Sequence, residues 1–115
     1  MFGTVKIGNK DVDMLANAAT PYRYQMIFKE DFFGRVTGKV EVESRDFFAK
    51  IGYVMAMQAV KADMNKLNVD TFLVWLEGFE PADVFSAAGD IADIYNGTRE
   101  GSSSPKEMSD QPSEK

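Results

Sequence analysis

The groups in this sequence that could do chemistry are carboxylates. Asp90 and Asp93 stand at i and i+3, which is one face of a helix, and Glu30 and Asp31 are adjacent. Such pairs act as acid and base, or hold a hard cation, when burial or a neighbour drives their pKa values apart. As exposed surface charge they do neither. Imidazole and thiol chemistry is excluded, because the 115 residues include no His and no Cys. A His-based triad, His- or Cys-ligated zinc, iron–sulfur centres, thiolate nucleophiles and disulfides all go with them. The run Asp63-Met64-Asn65-Lys66-Leu67-Asn68 begins like a calcium loop. It fails as one: Leu67 fills the third ligand position, Asn68 replaces the turn glycine, and Val74 stands where a bidentate Glu is needed. Gly3, Gly8, Gly34 and Gly38 form neither a GxGxxG nor a Walker pattern, so no phosphate cradle is expected. The expectation is a chain that is not an enzyme and carries no metal and no cofactor.

The remaining conspicuous residues are soft and apolar. Met55, Met57 and Met64 have the flexible thioethers that suit adaptable binding surfaces, and that also fill irregular cores. Phe72, Trp75, Leu76 and Phe79 place more aromatic bulk on one short segment than its own packing requires. Aromatics are favoured anchors at interfaces as well as in cores. Met55, Met57, Met64, Phe72, Trp75 and Phe79 are therefore the candidate partner-binding residues, with core packing as the competing account.

These residues must be positioned by elements that the sequence pattern suggests. Val5 and Ile7 alternate with Thr4 and Lys6, and Val12 and Met14 with Asp11 and Asp13; Gly8-Asn9-Lys10 between them predicts a β-hairpin. A two-stranded ribbon is marginal alone, so its apolar face must lie on the helices that follow. Thr20-Pro21 offers a capping hydroxyl and a tolerated N-terminal proline. Tyr24, Ile27, Phe28 and Phe32 then recur at helical spacing, with Gly34 or Gly38 as the expected stop. A second helix is expected from about Ser44 to about Leu67. It is apolar nearly all round (Phe47, Ile51, Tyr53, Val54, Met55, Met57), which marks the buried centre of a bundle. Asn68 or Asp70 caps a third helix, which the Glu80-Pro81 step breaks. Pro81 opens a fourth helix with Val84, Phe85, Ala88, Ile91, Ala92 and Tyr95 on one face; Gly89 within it suggests close packing, and Gly97 sits at its C-cap. The basic residues Arg35, Lys39 and Arg45 interleave with Glu41, Glu43 and Asp46 and read as a solvated linker.

Composition completes the outline. Hydrophobic residues make up 44% and aromatics 12%, enough to order most of the chain. Beyond Gly97 only Met108 is large and apolar, so residues 98–115 are expected to be a disordered tail. The fold expectation is α+β, mostly α. Residues 1–97 form a single domain, an N-terminal β-hairpin packed on a compact bundle of about four helices. Thirteen Lys and Arg against 18 Asp and Glu give a net charge of −5, which argues against nucleic acid as a partner. The N-terminal stretch has no secretory pattern, and apolar runs such as Val54–Met57 are far shorter than the ~20 residues of a membrane span, so an intracellular, membrane-free protein is expected.

Several strings carry a resemblance. They are Val5-Lys6-Ile7-Gly8-Asn9-Lys10, Ala16-Asn17-Ala18-Ala19-Thr20-Pro21-Tyr22-Arg23-Tyr24, and Ile27-Phe28 with Asp31. The Ala- and Met-rich helix, Trp75-Leu76, Asp83-Val84-Phe85 and Ile94-Tyr95-Asn96-Gly97 before a Ser-, Pro- and Lys-containing tail add to them. Over about residues 4 to 106 the chain resembles the phage tail assembly chaperones of siphoviruses and prophages of Gram-positive bacteria. The resemblance implies a non-catalytic chaperone in the bacterial host cytoplasm, absent from the mature virion. Its implied partners are the tape measure protein, the major tail tube protein and a frameshifted longer form of itself, with the junction in the region from Thr98. A structural virion component, such as a head–tail connector or neck protein, is the alternative that shares small size and lack of chemistry.

Overall fold

The computed structural model describes residues 1–35 and 45–97. Two antiparallel strands, β1 (Phe2–Ile7) and β2 (Lys10–Leu15), pair in the register Phe2↔Leu15 through Ile7↔Lys10. The turn is shorter than the three residues expected. Lys10 already belongs to β2, and Gly8 alone takes a positive φ of 66°, the arrangement of a two-residue loop led by glycine. Alternation then puts Val5, Ile7 and Met14 on one face, where they are completely covered.

What covers them is helical. The helices are α1 (Thr20–Phe28), α2 (Phe32–Arg35), α3 (Arg45–Ala59), α4 (Val69–Leu76), α5 (Pro81–Ser86) and α6 (Ala88–Asn96), with a 3-10 turn over Met64–Lys66. Helix α3 is the axis: β2, α1, α4, α5 and α6 all pack on it. Phe48, Ile51, Val54 and Met55 are buried outright, as expected for a helix apolar on nearly every side. The architecture is thus α+β and mostly helical, with the hairpin lying against α3 and α6.

Several boundaries differ from the pattern-based reading, each for a local reason. Helix α1 ends at Phe28 rather than at Gly34 or Gly38, because Lys29 takes the left-handed conformation (φ 57°) and its N–H bonds to the Gln25 carbonyl. The Thr20 hydroxyl does not cap α1; it accepts the Asn17 N–H at 3.0 Å and the Gln58 amide at 2.9 Å. Helix α3 stops at Ala59, not near Leu67. There Lys61 (φ 58°) donates to the Gln58 carbonyl and Ala62 to the Met57 carbonyl, which is a Schellman closure. The fourth expected helix is divided at Ala87, whose N–H is shared between the Asp83 and Val84 carbonyls. Gly97 does end α6, at φ 71°. Of the basic stretch expected as a linker, Arg35 ends α2 and Arg45 and Asp46 open α3, while Lys39, Glu41 and Glu43, like the tail 98–115, lie outside the described residues.

One buried polar side chain ties the layers together. Gln58 of α3 donates to the Leu15 carbonyl at 2.6 Å and to the Thr20 hydroxyl, and accepts from Arg23 at 2.9 Å. With its donors and acceptor all engaged, the amide can be buried without an unmet group.

Candidate functional site

One segment that departs from ordinary packing is α4; Tyr22, Met26 and Phe33 on α1 and α2 are exposed as well. Asn68 caps α4: its side chain accepts the Thr71 N–H at 3.0 Å, and the Thr71 hydroxyl accepts the Asn68 N–H at 2.9 Å. The same hydroxyl donates to the Asn68 carbonyl and accepts from the Tyr53 hydroxyl at 2.8 Å, so α3 fixes where α4 begins. From this start, Phe72 points inward and is buried. Val69, Leu73 and Val74 point outward; Leu73 is 49% exposed and Val74 65%. A helix with apolar residues on nearly every side is normally enclosed, and α4 is covered on one side only.

Between α4 and α5 lies an apolar groove of about 320 Å³. Phe72, Leu73 and Leu76 form one wall, and Pro81, Val84 and Phe85 the other; Phe79 closes one end, with Ala49 and Asp46 of α3 also in the lining. Phe85 is 43% exposed. The groove is at the small end of the range for ligand pockets and has room for a few apolar side chains.

Phe79 is shared with a second, polar cleft of about 190 Å³. Glu77, Gly78, Glu80 and Asp83 line it from the α4–α5 side and Ile7, Gly8, Asn9 and Lys10 from the hairpin. Lys10 reaches across it. Its ammonium donates to the Gly78 carbonyl at 2.5 Å and lies 5.2 Å from the centre of the Phe79 ring. The φ of 66° favours glycine at position 8, and a Cβ there would fall 2.6 Å from Asp83 Oδ2, so that carboxylate would have to turn aside.

The candidate residues divide. Phe72 and Phe79 line the groove. Trp75 is half-buried behind it, with ring centres 5.4 Å from Tyr53 and 5.0 Å from Phe79, and is not in the lining. The methionines are not in it either. Met55 is completely buried and offers no surface in this state, while Met57 and Met64 are half-buried against the core. The α3 contribution to the groove is Ala49 and Asp46 instead, which precede its methionines by more than one turn.

Apart from Phe72 and Phe79, the lining residues, Leu73, Leu76, Val84 and Phe85 among them, were not singled out as a site by pattern reading. A signal existed for Leu73: it stands at i+3 from Asp70 and i−4 from Glu77, on the acidic and therefore outward stripe of α4.

The carboxylates fall into ordinary roles. Glu30 accepts the Tyr24 hydroxyl and the Lys50 ammonium, both at 2.6 Å, and its neighbour Asp31 is exposed. Asp90 and Asp93 are exposed on α6. Among the described residues no group of three acidic side chains is gathered as for a metal ion, and no helix is long and apolar enough to cross a membrane.

Comparison of the chain with protein-family models, with curated proteins and with solved structures gave no match.

Proposed function

We propose that this protein is a phage tail assembly chaperone: a non-catalytic body that binds the tape measure protein and helps recruit tail tube subunits. The observation that carries the proposal is the apolar groove between α4 and α5, open to solvent with Leu73 and Phe85 on its rim. Apolar contact that forms and releases is what sheltering an aggregation-prone polypeptide requires, and a groove between two helices suits an amphipathic helix. The net charge of −5 favours keeping such a complex dispersed. The resemblance of the sequence to tail assembly chaperones supplies the identity of the partners, the tape measure protein first and the major tail tube protein second. It also implies action in the host cytoplasm and absence from the finished particle.

Co-expression with the tape measure protein tests the proposal. The wild-type chain should raise the soluble fraction of the tape measure protein several-fold, and Leu73→Asp with Phe85→Asp should abolish that gain while leaving the thermal unfolding midpoint within a few degrees. Unchanged solubility and unchanged tail yield on deleting the gene would overturn it. Mass spectrometry of purified particles should find the chain absent; a fixed copy number per virion would assign it to a connector or neck instead.

A further inference from the structure

We infer that the segment received by the α4–α5 groove is an amphipathic helix whose apolar anchors are flanked by Lys or Arg. The inference rests on the groove being a binding site, as proposed above, and adds the chemistry of what binds there.

The first argument is charge. The apolar groove runs directly into an acidic cleft, with Phe79 as the common wall. Three carboxylates, Glu77, Glu80 and Asp83, line that cleft against the single ammonium of Lys10. Lys10 is directed at the Gly78 carbonyl and the Phe79 ring, and the ion pairs between described residues do not include these three carboxylates. The negative end of the α4 dipole adds to them, since its last turn has no basic residue and Glu77 is its C-cap. Asp46, also in the groove lining, shares Lys50 with Glu30, two carboxylates to one ammonium. A segment that seats apolar side chains in the groove therefore brings its flanks against negative charge, and cationic flanks are attracted where anionic ones are repelled.

The second argument is backbone satisfaction. The groove walls are helices whose N–H and C=O groups are largely bonded internally, so an extended segment would find no edge to pair with. A helix arrives with its own backbone bonds made and presents anchors at i, i+3, i+4 and i+7.

The experiment uses the full chain and two synthetic helical peptides lacking Trp, with identical Leu anchors and either Lys or Glu flanks. Trp75 is the only tryptophan and sits against Phe79, so its fluorescence reports occupancy. The Lys-flanked peptide should bind about tenfold tighter in ~0.1 M NaCl, and the preference should vanish in ~1 M NaCl, where the Debye length falls from about 10 Å to about 3 Å. Glu77→Gln with Glu80→Gln should erase most of the preference. Asp13→Asn with Asp90→Asn, which changes net charge equally but outside both clefts, should keep it. Equal affinities, tighter binding of the Glu peptide, or a preference that both double variants reduce alike would overturn the inference. If equal binding is still lost in Leu73→Asp, the groove reading survives that result; if neither peptide binds, the groove reading falls and the inference with it.

Discussion

Helices α3 and α4 are both apolar on nearly every side, yet one is enclosed and the other is not. Around α3 five elements converge: the hairpin through β2, and α1, α4, α5 and α6. Its rings and aliphatics meet partners in every direction; Phe47 alone has ring centres of Tyr24, Phe32 and Phe48 within 5.3 to 5.7 Å. Helix α4 packs its Phe72 side on α3 and leaves Val69, Leu73 and Val74 to solvent. The same residue types are core in one place and surface in the other. Composition sets how much apolar area a helix carries; the number of elements that reach it decides how much is covered. An uncovered remainder costs solubility, so its persistence on α4 is the physical ground for giving it a partner.

The largest effect expected from this contrast is in the cost of truncation. Phe48→Ala removes a completely buried ring from the α3 core and should destabilise the fold by about 3–5 kcal/mol. Leu73→Ala removes a side chain already half in water and should shift stability by no more than about 0.5 kcal/mol, while weakening partner binding. Urea unfolding of both variants, with unchanged slope, checks this. Similar costs for the two would show that α4 is as enclosed as α3, and the groove would lose its meaning.

Glycines sharpen the same contrast with opposite signs. Gly52 lies on α3 where a Cβ would meet Ile91 Cδ1 at 3.0 Å and Met14 Cε at 3.4 Å, so the hairpin and α6 are both pressed onto it. Gly52→Val should cost about 1–3 kcal/mol through overpacking. Gly89 on α6 was the glycine whose position within a helix suggested close packing, but a Cβ there has nothing within 4 Å. Gly89→Ala should therefore stabilise by about 0.5–1 kcal/mol, from helix propensity and the lower entropy of the unfolded chain. Thermal unfolding of the two variants should move in opposite directions.

What could be read in advance follows the same division. The hairpin, the Asn68 cap, the Gly97 stop and the centrality of α3 each depend on residues close in sequence, so alternation, capping chemistry and helical period exposed them. The ends of α1 and α3 did not, because Lys29 and Lys61 take left-handed conformations that glycine normally serves. Both lysines are exposed, and each closes its helix only through its backbone N–H, on the Gln25 and Gln58 carbonyls, which no residue type signals. Phe72 and Phe79 were legible as candidates because aromatics crowd a short segment. Leu73 could be read as outward-facing from Asp70 and Glu77, but neither it nor Phe85 as groove lining, since that depends on α5 turning back beside α4, which no local pattern announces. Met55 went the other way: its type suits an adaptable surface, but its position on α3 faces the centre of the core.

The smallest effect concerns a residue between the two extremes. Tyr95 on α6 is half-buried, with its ring centre 5.7 Å from that of Phe32, and burial raises its phenol pKa above the ordinary 10.0. The sign follows from which state holds the proton longer. In the unfolded chain the phenol ionises near pH 10, whereas in the folded protein it stays protonated to higher pH. The folded state then binds more protons in that window, so this contribution to stability is complete below about pH 10 and is lost as pH rises past it. Partial exposure to solvent keeps the effect modest. Tyr95→Phe removes the ionisable group while keeping the ring on Phe32. The difference in unfolding midpoint between wild type and Tyr95→Phe should stay constant up to about pH 9 and drift in favour of the variant above about pH 10. A difference that stays flat across the whole range would place Tyr95 with the uncovered residues of α4 rather than at the edge of the core.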